Sequence, residues 1–142
     1  MEGSSIPPDP VRLADTRAWL ARAYDDLRGA EIDLAALPPL LGDVTFHCQQ
    51  AVEKTLKGYL TWHDHGFRKT HDLTELGGAC IELDPSLEPV LRRAATLTEY
   101  AWRYRYPGEP NAPEEAEARD ALALTRVVIS EILGRLPAEA RR

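Results

Sequence analysis

Residues 46–60 read Phe46-His47-Cys48-Gln49-Gln50-Ala51-Val52-Glu53-Lys54-Thr55-Leu56-Lys57-Gly58-Tyr59-Leu60, and this stretch decides the fold class. Wound as a helix at about 100° per residue, with its flanks from Asp43 to Gly66, it puts Val44, Cys48, Ala51, Val52, Thr55, Leu56, Tyr59 and Trp62 on one continuous apolar side. The opposite side carries His47, Gln50, Glu53, Lys54 and Lys57. Such a segment is a core helix with one chemically loaded face. Asp43 is expected to cap its start and Gly66 to end it. Phe46 interrupts the polar side and offers an aromatic to a neighbouring helix or a second subunit.

Upstream, Trp19, Leu20, Ala23, Tyr24, Leu27, Ala30 and Leu34 recur at spacings of three and four, which predicts a helix from Asp15 to about Leu37, stopped by Pro38-Pro39. The proline- and serine-rich start, 1–14, is expected to be a flexible leader. Downstream of the loop 66–71, Asp72-Leu73-Thr74-Glu75 has the spacing of a capping box and predicts a short helix to about Glu82. Asp84-Pro85 opens a further helix, expected to run to Tyr106 and to bury Leu87, Val90, Leu91, Ala94, Leu97, Ala101 and Trp102. Residues 107–113 read as an exposed loop. A last helix is expected from Pro113 or Glu114 to Leu136, with 138–142 as a tail. No segment alternates with period two. The expected fold is all-α, an antiparallel bundle of four long helices plus one short helix, in one unit over 15–137.

Composition narrows the class of function. The chain has 142 residues, 44% of them hydrophobic and 28% charged, as in an ordinary globular domain. Its net charge of −6 excludes a uniformly basic nucleic-acid coat and leaves room for a local basic patch. Cys48 and Cys80 fall on apolar helical positions and read as buried thiols, not a bridge. No apolar run reaches the roughly 18–20 residues that span a bilayer and no signal peptide is recognisable, so a soluble, cytoplasmic protein is expected.

Three constellations carry chemistry. Lys54 and Lys57 with His47 and Gln50 form a surface suited to a phosphate; the alternative is a solvated face in which Glu53 and Lys57 make an i,i+4 pair worth about 0.3–0.5 kcal/mol. Arg68-Lys69-Thr70-His71-Asp72 places two cations and an imidazole at a helix start, where free amides attract anions; alternatively Asp72 is a cap and His71 packs in a bundle corner. Arg103-Tyr104-Arg105-Tyr106 reads as a phosphate-binding arginine pair at a cleft mouth, with tyrosines that also suit base stacking; the alternative is a structural ion pair. On a continued helix Arg105 would fall on the apolar side and need an acceptor, for which Asp26 is one candidate. Gln49, at the edge of the apolar side, is expected to tie helices together. Other motifs are missing: there is no Gly-rich phosphate loop, no zinc spacing and no His-Glu-x-x-His, and no metal or cofactor is expected. His63 and His65 cannot share a helical face, and Glu114, Glu115 and Glu117 read as charge at a helix start.

Phe46-His47-x-Gln49-Gln50-Ala51-x-Glu53-Lys54-x-Leu56-Lys57, Lys69-Thr70-His71-Asp72-Leu73 and the segment from Ala101 to Arg105-Tyr106-Pro107 together resemble the HEPN family (higher eukaryotes and prokaryotes nucleotide-binding), over about Trp19 to Leu136. Gly58 stands where that family usually has alanine. The resemblance implies an antiparallel helical bundle that is usually a homodimer, binds a nucleotide or RNA, and acts beside a nucleotidyltransferase-fold partner in toxin–antitoxin modules. Members that cut RNA carry an arginine followed after four to six residues by a histidine, and no arginine here is so followed. The expectation is a non-catalytic module that binds nucleotide or RNA phosphate through His47, Gln50, Lys54, Lys57, Arg68, Lys69, His71, Arg103 and Arg105. The alternatives are a metal-independent RNA endonuclease using His71 or His47, and a dimeric scaffold with no small ligand.

Overall fold

The computed structural model describes residues 9–108 and 112–141, which are helical with no strand among them. Five α-helices follow in order: α1 Pro10–Ala35, α2 Leu41–Trp62, α3 Leu73–Leu83, α4 Glu88–Ala94 and α5 Glu115–Leu133. The all-α bundle is as expected from the periodicity. One core runs through it, built on Leu20, Val44, Val52, Leu56, Leu60, Leu76, Leu91, Val128 and Ile132.

The turn at Pro38-Pro39 folds α2 back along α1, so that Leu20 and Trp19 meet Gly58 while Gly29 lies under the His47 ring. A Cβ on Gly58 would stand 3.3 Å from Trp19 Cβ and 3.1 Å from Leu20 Cδ2. Glycine therefore sets the close approach of the two helices, and this crowding opposes the helix propensity of about 1 kcal/mol that alanine would add. Cys48 and Cys80 are free and buried, and burial pushes their thiols up to about 11 and about 12.

Several boundaries differ from expectation. Helix α1 begins at Pro10, because Asp9 caps it by accepting from the Val11 amide; 10–14 is helix, and 1–8 lies outside the described residues. Asp43 does not cap α2. The cap position is Leu40, which has no side-chain acceptor, and Asp43 sits inside the first turn. Gly66 does not end α2 either. Asp64 takes the left-handed conformation (φ 54°), and the Asp64 and His65 amides donate to the Thr61 and Leu60 carbonyls, closing the helix three residues early. At 138–142, the expected tail, a 3₁₀ turn (Ala138–Ala140) buries Ala140 and offers the Glu139 and Arg141 carbonyls to Arg17 Nε (2.6 Å) and Tyr24 Oη (2.9 Å).

The segment expected as one helix from Pro85 to Tyr106 is in pieces: a 3₁₀ turn Pro85–Leu87, then α4, then a 3₁₀ stretch Ala95–Ala101. Pro89 has no amide to give to the Pro85 carbonyl, so an α-turn cannot span the two prolines. From Leu91 in α4 onward the buried residues Leu91, Ala94, Leu97 and Tyr100 recur every three positions, which is the 3₁₀ period. That winding buries Tyr100 and leaves Trp102, expected in the core, 55% exposed. The regular stretch ends at Ala101, and Tyr104 (φ 66°) turns the chain back toward α2.

Candidate functional site

Three side chains at i,i+4 spacing on α2 build the centre of the site. Glu53 lies between Gln49 and Lys57, with the carboxylate only 3% and Lys57 only 6% exposed. Gln49 Nε2 donates to Glu53 Oε1 (3.1 Å) and Lys57 Nζ to Oε2 (2.8 Å). His71 Nδ1, brought by the loop before α3, lies 2.7 Å from Oε1. The chain of bonds extends outward, since Gln50 Nε2 donates to Gln49 Oε1 (2.6 Å) while Gln49 holds the His71 carbonyl (3.0 Å). Gln49, expected half-buried and tying helices together, is fully buried and ties α2 to the loop instead. The Lys57 ammonium is covered on its other sides by the Trp19 and Phe67 rings, at 5.4 and 5.8 Å from their centroids.

The Glu53–Lys57 pair is therefore a buried one, not the solvated surface pair that spacing alone allows. Burial pushes the Glu53 carboxyl up, but hydrogen bonds from Lys57, His71 and Gln49, with the Lys57 charge, outweigh it and hold the carboxyl below its ordinary value of 4.5. An unfolded chain then binds a proton at Glu53 more readily than the folded one, so this stabilisation is complete above about pH 4.5 and is lost as pH falls through the folded-state value. Denaturant titrations of the wild type and Glu53→Gln should converge as pH is lowered from 6 to 3. Curves that stay parallel over that range would contradict the ionised state of Glu53.

His47 and Lys54 belong to a second group, facing α1. His47 is bracketed by Asp26 (Nδ1, 2.9 Å) and Asp33 (Nε2, 3.6 Å), and Lys54 Nζ donates to Asp26 Oδ2 (2.6 Å). Asp26 is thus taken by α2 and is not the partner of Arg105. Arg105, outside any helix, reaches Asp43 (2.7 Å), and its guanidinium stacks 4.1 Å from the Phe46 ring centroid. Arg103 pairs with Glu99 and lies over the Tyr104 ring, while Arg68 pairs with Glu75 (2.8 Å) and Lys69 is exposed. The alternative that packed His71 in a bundle corner does not hold, because its side chain is 69% exposed. The start of α3 has its amides occupied: those of Asp72, Leu73 and Thr74 donate to Thr70 Oγ1, Thr98 Oγ1 and Asp72 Oδ1.

Asp43, Phe46, Gln50, Glu53 and Lys57 fall in one narrow sector of α2, and from Asp43 to Glu53 the rise is about 15 Å. Arg105 stands at one end of this stripe and His71 at the other. Arg103 and Arg68 are turned away, toward Glu99 and α3. None of the nine predicted residues lines the open groove of about 810 Å³ between the Ala95–Ala101 stretch and α5, which carries Glu99, Glu117 and Asp120. The sequence missed the neutralising and stacking roles of Asp33, Trp19 and Phe67, and it gave Asp26 the wrong partner. Only the i,i+4 ladder of Gln49, Glu53 and Lys57 was open to detection there. No group of three or more metal-ligating side chains occurs among the described residues.

The all-helical bundle is consistent with the HEPN fold, and the family model for the HEPN domain matches residues 16–136. The chain belongs to the HEPN domain family. No curated protein and no solved structure matches it.

Proposed function

We propose that this HEPN protein is a binding module, not a catalyst, for a nucleotide or a phosphate-bearing stretch of RNA, held along the α2 stripe. The observation that carries the reading is the alignment of a stacked guanidinium, Arg105 on Phe46, with the exposed imidazole of His71 over about 15 Å of one helix. The Arg105–Asp43 pair is a solvent-exposed one, of a kind worth about 1 kcal/mol or less, so a phosphate with its larger charge displaces the carboxylate at small cost. Lys69, His71 and Arg105 are the ligand-facing groups in this reading. His47, Gln50, Lys54 and Lys57 hold the surface in place, and Arg68 and Arg103, paired with Glu75 and Glu99, lie outside the ligand-facing set. The family resemblance extends the proposal to a homodimer working with a nucleotidyltransferase-fold partner in a toxin–antitoxin-type system. Leu37, Leu40, Trp102 and Tyr106 are exposed near the end where Gly42 meets Tyr104, and they offer apolar contact area for such assembly.

Calorimetric titration of the purified protein with ATP and with a short single-stranded RNA, at low and high salt, tests the binding reading. Saturable binding that weakens with salt is expected, because phosphate contacts release counterions. Absence of binding to either ligand at low salt would overturn it and leave the protein–protein role.

A further inference from the structure

The chain has four histidines, and they differ in what holds each ring. His47 has a carboxylate facing each nitrogen, Asp26 on one side and Asp33 on the other. His63 lies against the Tyr59 ring, and burial with the nearby Arg12 charge disfavours its cation. His65 Nδ1 donates to the Gly66 carbonyl (2.7 Å), and its groove carries Asp9, Asp15 and Asp64 against the single cation Arg12, a balance that disfavours an anionic reagent. His71 alone combines a buried carboxylate on Nδ1 with a solvent-exposed ring.

An ionised Glu53 only accepts, so in the neutral ring His71 Nδ1 carries the hydrogen and Nε2 presents its lone pair outward. The ring is fixed in that sense from both ends, since Gln49 also holds the His71 carbonyl. Lys69 precedes it in the same loop and attracts anions, while Arg68 is neutralised by Glu75 and the Asp72 carboxylate is engaged on the Thr74 amide. We propose that His71 Nε2 is a phosphoryl-acceptor site, taking a phosphoryl group from a donor of the phosphoramidate or acyl-phosphate class. The Nε2 lone pair forms the N–P bond as the bond from phosphorus to the leaving group breaks. With phosphoramidate the leaving nitrogen already carries its protons and departs as ammonia. The ring becomes a phosphoimidazolium that keeps its Nδ1 hydrogen, and the positive charge forms against the Glu53 carboxylate, which positions the acceptor. The acceptor chemistry does not require that the chain bind a nucleotide, although it uses the same His71 ring that faces the ligand in that reading.

The test is to treat the full-length protein with phosphoramidate at neutral pH. The modified residue is read by mass spectrometry under conditions that preserve acid-labile phosphate, and the modified nitrogen by NMR. His71 should react at Nε2 about tenfold or more faster than His65 in the same sample, the advantage of a charge-assisted over a neutral hydrogen bond. Glu53→Gln should remove about tenfold of the His71 rate and leave that of His65 unchanged. Equal rates at His65 and His71, or attack at His71 Nδ1, would overturn the proposal. So would an undiminished His71 rate in a folded Glu53→Gln protein. The wild-type ratio and the modified nitrogen decide the matter even where that variant does not fold.

Discussion

Lys57→Ala is expected to destabilise the fold by about 3–5 kcal/mol, the cost of leaving one member of a buried ion pair without its partner. Glu53 would keep Gln49 and His71 but lose the full positive charge buried beside it. The Trp19 and Phe67 rings would lose the ammonium they enclose and face a cavity instead. Urea unfolding checks this, as a fall in the transition midpoint at unchanged slope. The outcome separates two pictures of α2, because alanine at an exposed i,i+4 lysine costs about 0.5 kcal/mol or less. Replacing Glu53 and Lys57 together by methionine should recover most of the loss, since removing both charges leaves neither unpaired. A Lys57→Ala protein as stable as the wild type would show that the ammonium is not buried in solution.

Arg105→Ala is expected to weaken nucleotide or RNA binding by about tenfold to a hundredfold, the worth of one charge-assisted hydrogen bond to phosphate. Fold stability should change by about 1 kcal/mol or less, because the Asp43 pair it breaks is exposed. Arg105→Lys should restore only part of the affinity: it keeps the charge but not the planar fork or the stacking on Phe46. Parallel calorimetry and thermal unfolding of the three proteins give both quantities. Unchanged affinity in Arg105→Ala would remove Arg105 from the ligand-facing set, whatever the wild type binds.

Arg105 also shows where reading along the chain stops. Extending the helix from Pro85 at 3.6 residues per turn put its guanidinium on an apolar face and suggested Asp26 as its acceptor. Pro89 and the three-residue spacing of Leu91, Ala94, Leu97 and Tyr100 were present in the sequence as signs of a tighter winding, but propensity alone does not weigh them against a continued α-helix. The end of α2 was illegible for a different reason. Asp64 in the left-handed region does the work usually given to glycine, and aspartate tolerates it only modestly well, so Gly66 was the stronger signal.

Amphipathic periodicity by itself determined that this chain is an all-helical bundle organised on α2, and which residues of that helix face the core. Those are local properties, set by spacing along one helix, and the HEPN motifs lie in the same local patterns. Tertiary structure alone decided which polar residues of α2 are buried. His47 and Lys54 are neutralised by Asp26, some 20 residues or more upstream, and Lys57 is enclosed by Trp19 and Phe67 from two other segments. A polar side chain's fate depends on whether partners from distant segments compensate its desolvation, and helical spacing carries no information about partners that only folding brings near.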